Sequence, residues 1–389
     1  MRRLLPIALS AGLLFSVAAY GQGSVTLYGI VDSGIAWVHN AADDNGQNQR
    51  SLFAYSGGNM QGSRWGLRGN EDLGGGLAAI FQIESGFNLG TGRLKQGGRA
   101  FGRKAVVGLS GANWGTVTLG RQLDPVVDLV QALTDDGPFS GVFGTPGDVD
   151  NYDNSVRVSN SIKYVSPTFS GLKVEALYGF GGVAGSIGSG QTWSLGAGWS
   201  GGPLSLAAGY FYANGGNPLA ATGNRGWSGS SDSLFNTVIN EGFASAHSIK
   251  IVRAGGQYVV GQATLGVAYS NTRYGTDAYS SFGQTAKYNN GSAFFNWQFT
   301  PVLMMGLGYN YTALTGPASA HYNQANLGID YTLTKRTDVY ALAGYQKASG
   351  HTLDSAGRLV RARAAIGNYG VSSGASSQAL SLVGIRHRF

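Results

Sequence analysis

From Val25 onward the chain alternates between apolar and polar or small residues. In SVTLYGIVDSGIAWV the set Val25, Leu27, Gly29, Val31, Ser33, Ile35 and Trp37 interleaves with Thr26, Tyr28, Ile30, Asp32, Gly34 and Ala36. A period of two puts these sets on opposite faces of a strand, and the first set reads as the outer face. The alternation returns at 61–70, 77–88, 100–110, 115–121, 156–166, 171–180, 191–200, 203–213, 246–259, 263–274, 286–299, 302–313, 322–333, 337–347 and 378–389. With the first segment this predicts about sixteen strands, each of roughly ten residues.

The connections between these segments alternate in length. Short ones fall at 72–75, 111–114, 167–170, 201–202, 260–262, 300–301 and 334–336, and long ones at 39–60, 89–99, 122–155, 214–245 and 348–377. A soluble sandwich also has many short strands, but nothing in it calls for alternating loop lengths. An even number of strands with short turns at one end and long loops at the other is the pattern of a bacterial outer-membrane barrel. In lipid every backbone N–H and C=O must find an internal partner, so strands can span only as a closed ring. The prediction is an all-β fold: a sixteen-stranded antiparallel transmembrane β-barrel with long external loops. The final segment, SQALSLVGIRHRF, sets Val383, Ile385, His387 and Phe389 on one face and Gly384, Arg386 and Arg388 on the other. It must pair with the first strand, which makes Phe389 the mark of closure. Tyr28, Trp37, Trp65, Trp193, Trp297, Phe299, Tyr311 and Tyr331 lie near strand ends and suit interfacial girdles.

The connection at 122–155 differs from the other loops. It runs more than thirty residues without sustained alternation, and loops that long inside a compact fold are usually functional. It holds Asp124, Asp128, Asp135, Asp136, Asp148, Asp150 and Asp153, about a third of the 20 acidic residues, while basic residues stand in the strands on both sides. The reading is that this third long loop folds into the barrel and narrows it.

Composition narrows the class further. Gly, at 64 residues, is more than double its usual share, and charged residues, at 12%, are about half theirs. Arg2 and Arg3 precede an apolar run from Leu4 to Ala19, with Ala19 and Gly21 at minus three and minus one of a cleavage point before Gln22. Residues 1–21 therefore read as a secretory signal peptide, too short an apolar run for a spanning helix, and 22–389 as a single barrel unit. Losing Arg2 and Arg3 leaves 25 basic residues against 20 acidic ones, about +5. The bases are scattered through strands, so nucleic acid is not suggested. There is no cysteine, hence no disulfide or thiolate metal site.

With SVTLYGIVDSG after the leader, RKAVVGLSGANWGTVTLGRQ at 103–122 and a terminal VGIRHRF, the chain resembles the general diffusion porins of Gram-negative outer membranes, most of all the beta-proteobacterial branch. The resemblance covers essentially the whole exported chain. It implies a homotrimer in the outer membrane, in contact with lipid and lipopolysaccharide, and an eyelet between acids on the third loop and bases on the wall. The family's wall arginines match Arg64 in SRWGLRGNEDLGGGL, Arg103 in FGRKAVVGL and Arg157 in NSVRVSNSIKY, with Arg121 in LGRQ as a fourth candidate. Ile30 stands where some relatives carry a lysine, and the loop's Pro138, Phe139, Ser140 and Gly141 lack the glutamate of enteric relatives. Asp135, Asp136 and Asp148 are the candidate loop carboxylates. Strict alternation puts Lys104 opposite Arg103, toward lipid or a neighbouring subunit.

An excess of arginine over aspartate at a constriction favours anions, and arginine stays charged at any physiological pH. The same arginines could instead simply hold the loop. The expected activity is passive diffusion of ions and small hydrophilic solutes, weakly anion-selective, with no enzymatic step and no cofactor. The alternatives are a solute-specific channel or a non-conducting adhesin or scaffold barrel. Gly198 to Gly202 fits GxSxG and Gly196, Gly198 and Gly201 fit GxGxxG, yet neither precedes a helix. Asp148, Asp150 and Asp153 suggest a calcium loop, but Asp153 stands where glycine is needed and Ser159 where the bidentate glutamate is. The five histidines have no metal-ligand spacing.

Overall fold

The computed structural model describes residues 23–43, 46–48, 50–134, 136–215 and 234–389. The predicted leader at 1–21 and Asp135 lie outside these residues. The described chain forms a closed antiparallel barrel of sixteen strands, in which neighbours in sequence are neighbours in the sheet. Its ends meet as anticipated: the first strand, Ser24–His39, pairs with the last, Ser377–Arg388, from Ile30↔Arg388 to His39↔Ala379. Phe389 completes the seam by exchanging two 3.0 Å backbone hydrogen bonds with Gly29. The ring is thereby closed.

The second strand comes in two pieces where the sequence suggested one. Ser51–Gly57 pairs with the upper part of the first strand and Arg64–Gly74 with its lower part. Between them, 58–63 leaves the ladder and turns inward. Gly58, at φ +78, starts the turn, and the Asp32 carboxylate accepts from the Met60 and Gln61 amides at 2.8 Å each. A short strand, Leu359–Arg361, lies within the last long loop against Thr337–Leu353.

Alternation sorts the side chains inside out relative to a soluble protein. Val25, Leu27, Val107, Leu119, Val267, Leu307 and Val383 are exposed on the exterior, whereas Asp32, Gln122, Lys163, Asn310 and Gln346 are buried toward the interior. Apolar side chains facing lipid and polar ones facing the lumen is the arrangement a bilayer selects. Two exterior assignments change. Tyr28 points inward, donating to Glu84 Oε2 at 3.0 Å, because it belongs to the even-numbered face of its strand. Lys104 also faces the lumen: Arg103 lies just before the strand Lys104–Gly111 begins, so alternation does not separate the two.

The third long loop leaves the strand Gly115–Gln122 and returns at Val158–Val165, and it lies inside the barrel. Val130, Phe139, Phe143 and Val149 are fully buried there.

Candidate functional site

The loop enters the barrel through a capped helix. Asp124 accepts from Val126 N at 2.8 Å and Val127 N at 3.4 Å, and Pro125 opens the helix Pro125–Val130. An N-cap carboxylate and a proline in the first turn satisfy the orphan amides and preset φ. The segment then crosses to the far wall, where glycines make room for it. A Cβ on Gly328 would lie 2.5 Å from the Phe139 ring, one on Gly209 2.9 Å from Val126, and one on Gly196 2.9 Å from Leu129. Wall side chains hold the loop's carbonyls. Asn310 donates to Phe143 O at 2.9 Å, Gln324 to Val142 O at 2.9 Å and Tyr274 to Val149 O at 2.6 Å. Arg253 lies 4.4 Å from the centre of the Tyr152 ring and donates to Asn151 O.

The docked loop leaves a cavity of about 1200 Å³ between itself and the opposite wall. Six cations line it (Arg64, Lys95, Arg103, Lys104, Arg157 and Lys163), with four acids (Glu84, Asp128, Asp136 and Asp153). Arg103 Nε sits 2.6 Å from Glu84 Oε1, and Arg64 Nε 3.9 Å from Glu84 Oε2. Lys163 bridges Asp128 and Glu175, the latter at 2.9 Å. Arg157 donates to Asn154 Oδ1 at 2.8 Å.

Of the residues chosen from sequence, the structure brings Arg64, Arg103, Arg157 and Asp136 to this cavity and places two others elsewhere. Arg121 stands in register with Ala105, its guanidinium on Gly102 O and Ser159 Oγ at 2.8 and 2.7 Å. A register shift at Gly120, whose φ is +132, sets it apart from the lumenal row. Asp148 is buried within the loop, accepting from Asp153 N at 2.8 Å and Ser155 N at 3.3 Å. It works as an internal staple. Asp150 accepts from Ser270 on the wall and Thr145 in the loop, so the run that suggested calcium is occupied by protein donors. Among the described residues no cluster of three or more His, Cys, Asp or Glu is arranged to hold a metal.

Glu84, Lys95 and Lys163 were not singled out from sequence, and Asp153 was noted only among the loop's acids and in the calcium-like run. Alternation could have found two of them, since Glu84 and Lys163 occupy inward positions flanked by outward Ile83 and Ile162. Lys95 and Asp153 sit on loops, where no periodicity points to them. Ile30 lines the cavity where some relatives carry a lysine, and Lys95 and Lys104 add charge nearby.

The loop's acids are perturbed. Burial, and then the neighbouring Asp153 charge, push Asp136 well above the usual carboxylate range. Burial, then Asp153 and Asp150, raise Asp148 to about 8. Burial raises Asp153 as well. The three carboxylates therefore carry less than three negative charges at neutral pH, which tilts the field of the constriction toward positive.

A model of the Gram-negative porin family matches residues 8–351. An outer membrane porin protein of Bordetella pertussis is 30% identical over the whole of both chains. The solved structure of an anion-selective porin from Comamonas acidovorans superposes with a TM-score of 0.70 at 26% identity, covering 95% of this chain and 100% of that one. The trimer form of in-vitro folded OmpT from Vibrio cholerae superposes at 0.65 with 19% identity, covering 94% of this chain and 99% of that one.

Proposed function

Because the chain belongs to the Gram-negative porin family, we propose that its constriction passes anions in preference to cations and that it works as a homotrimer. It is an outer-membrane channel for passive diffusion. One observation carries the selectivity: six cations line the cavity against four acids, and two of those acids, Asp136 and Asp153, are held toward neutrality. Charged side chains lining a narrow pore select ions by sign. The anion-selective relative from Comamonas points the same way. The trimer is supported by the Vibrio relative's trimer form and by an exterior apolar groove of about 350 Å³ across the closure seam, lined by Ile35, Trp37, Phe53, Ile329 and Val383.

No chemical step is part of this reading. The GxSxG string lies on a two-strand hairpin, where Ser200 and Ser205 share a 2.9 Å hydrogen bond.

The test is the reversal potential of the purified protein in a planar bilayer under a KCl gradient. The anion-selective sign is expected, moving toward zero when Arg64, Arg103 and Arg157 are replaced together by glutamine. A cation-selective sign in the unmodified channel would overturn the reading, and silence at every voltage would return the scaffold-barrel alternative.

A further inference from the structure

The break in the second strand puts more chain into the lumen than a strand can. Gly57 pairs with Ser33 above the break and Arg64 with Ile30 below it, so the six residues 58–63 stand opposite only two, Val31 and Asp32. A strand shows the lumen every second residue, yet every residue from Ser56 to Arg64 lines the central cavity. The four surplus residues form a shelf inside the barrel. At one side the shelf meets the tip of the third loop, since Met60 is fully buried in the same apolar cluster as Phe139 and Val142. At the other it meets the cations: a Cβ on Gly62 would lie 3.3 Å from Arg103 Nη1, and one on Gly58 3.6 Å from Lys95 Nζ.

One carboxylate holds the shelf in place. Asp32 is fully buried beneath it. Its Oδ2 accepts from the Met60 and Gln61 amides, and its Oδ1 from the Tyr340 hydroxyl on the far side of the closure seam. Its backbone is tied as well: Gly58 N donates to Asp32 O at 2.9 Å, and Asp32 N donates to Ser63 Oγ at 3.1 Å. Asn59 Nδ2 donates to Tyr340 Oη at 3.0 Å. A buried carboxylate is costly unless its oxygens are hydrogen-bonded, and here three donors serve it, two of them from the shelf itself. The shelf and its anchor therefore stand or fall together.

We propose that the 58–63 shelf is a second narrowing element of the pore, closing the gap between the loop tip and the charged wall, and that Asp32 is its positioning residue. The third loop alone would leave that side of the constriction open. With the shelf in place the aperture is bounded on three sides, and the limit it sets is on the cross-section of any solute, charged or not. The shelf also gives Arg103 and Lys95 a surface to rest on, so it helps fix where the positive charge stands. The proposal rests on the channel reading and adds a size determinant that owes nothing to the sign of the charge.

The experiment compares swelling of proteoliposomes in a neutral monosaccharide and a neutral trisaccharide, with single-channel conductance recorded on the same proteins. Deleting residues 59–62 leaves Gly58 and Ser63 opposite Asp32 and Val31, which restores a continuous strand and keeps the inward and outward faces in step. The deletion should raise conductance about twofold and the trisaccharide-to-monosaccharide rate ratio about tenfold, since pore diameter sets both. The reversal potential under a KCl gradient should move toward zero as Arg103 and Lys95 lose their seat. Asp32→Ala should shift the rate ratio in the same direction with a noisier open-channel current. Asp32→Asn keeps an oxygen for the two amides and an NH2 for the Tyr340 oxygen, and should hold the unmodified ratio. Lost stability alone would lower the melting temperature without changing which sugars pass. A deletion variant that folds with an unchanged or lower ratio would overturn the proposal, and Asp32→Ala indistinguishable from Asp32→Asn would remove Asp32 from its role. Should the deletion fail to fold, Asp32→Ala decides the matter. An unmodified protein that passes neither current nor sugar breaks the channel reading itself, whatever the variants do.

Discussion

Along the strands from Ser248–Val260 to Thr337–Leu353, the inward positions that meet the third loop include glycines and amides: Gly306 and Gly328 under Phe139, and Asn310 and Gln324 beside the backbone. Along the strands from Ser24–His39 to Val158–Val165, the inward positions that line the cavity include Arg64, Glu84, Lys104 and Lys163. Both stretches follow the same alternation, and both point polar or small groups inward. One wall holds the loop and the other sets the field. A glycine's missing Cβ lets a backbone or a ring lie flush against the sheet, and an amide can satisfy a loop carbonyl without adding charge. Charge is therefore concentrated where a passing ion meets it, and Arg253, the buried cation behind the loop, is covered by Tyr152.

The largest predicted effect comes from filling the docking wall. Gly328→Leu would place side-chain atoms where the Phe139 ring now lies, and forcing extra methylenes into a packed site costs about 1–3 kcal/mol. The loop tip should be driven toward the channel, with single-channel conductance falling and thermal stability dropping together. Gly291→Ala serves as the comparison, since a Cβ there meets nothing within 4 Å. If the Gly328 variant conducts and melts like the unmodified protein, the loop does not rest on that wall.

A smaller effect is expected on the charged wall. Glu84 accepts from Arg103 at 2.6 Å and from Tyr28 at 3.0 Å. Glu84→Gln removes the negative charge among the wall cations; its one amide oxygen still accepts from Arg103, and its NH2 can donate to the Tyr28 hydroxyl. The reversal potential should move further in the anion-selective direction with conductance little changed. Movement toward cation selectivity would mean that Glu84 matters chiefly by holding Arg103 in place.

Most of the fold was legible from the sequence because a barrel's two faces are written in a period of two, and its ends in loop length. The second strand was cut short because 39–60 read as one long connection, and only the Asp32 carboxylate inside the lumen explains why the chain turns inward at 58–63 and then resumes the strand. The charged wall was partly legible: Arg64 lies on a periodic strand, and Glu84 and Lys163 could have been read the same way. The loop side was not. A capping aspartate such as Asp124, a staple such as Asp148 and a lumenal acid such as Asp153 look alike in sequence, and their roles are fixed by which donors the folded loop brings to each. Arg121 illustrates the converse, since one register shift at Gly120 takes a well-placed arginine out of the lumenal row.

The smallest effect should appear on titration, and it ties the two walls together. Asp148, on the loop, is raised to about 8 by burial and then by Asp153 and Asp150, and Asp136 and Asp153 are raised as well. For a carboxyl raised in the folded state, the fold binds its proton more tightly than the unfolded chain does, so stability is fully present below the usual carboxylate range and is lost as pH rises toward 8. Those same deprotonations add negative charge beside the wall cations. Between pH 6 and pH 9 the anion preference should therefore decline, by less than it does when Arg64, Arg103 and Arg157 are removed, and the loop should loosen in parallel. Asp148→Asn keeps an acceptor for the Asp153 amide, gives up the longer contact with the Ser155 amide, and should flatten part of that pH dependence. A reversal potential constant across this range in the unmodified channel would place these loop carboxylates outside the field that passing ions feel, leaving selectivity to the opposite wall alone.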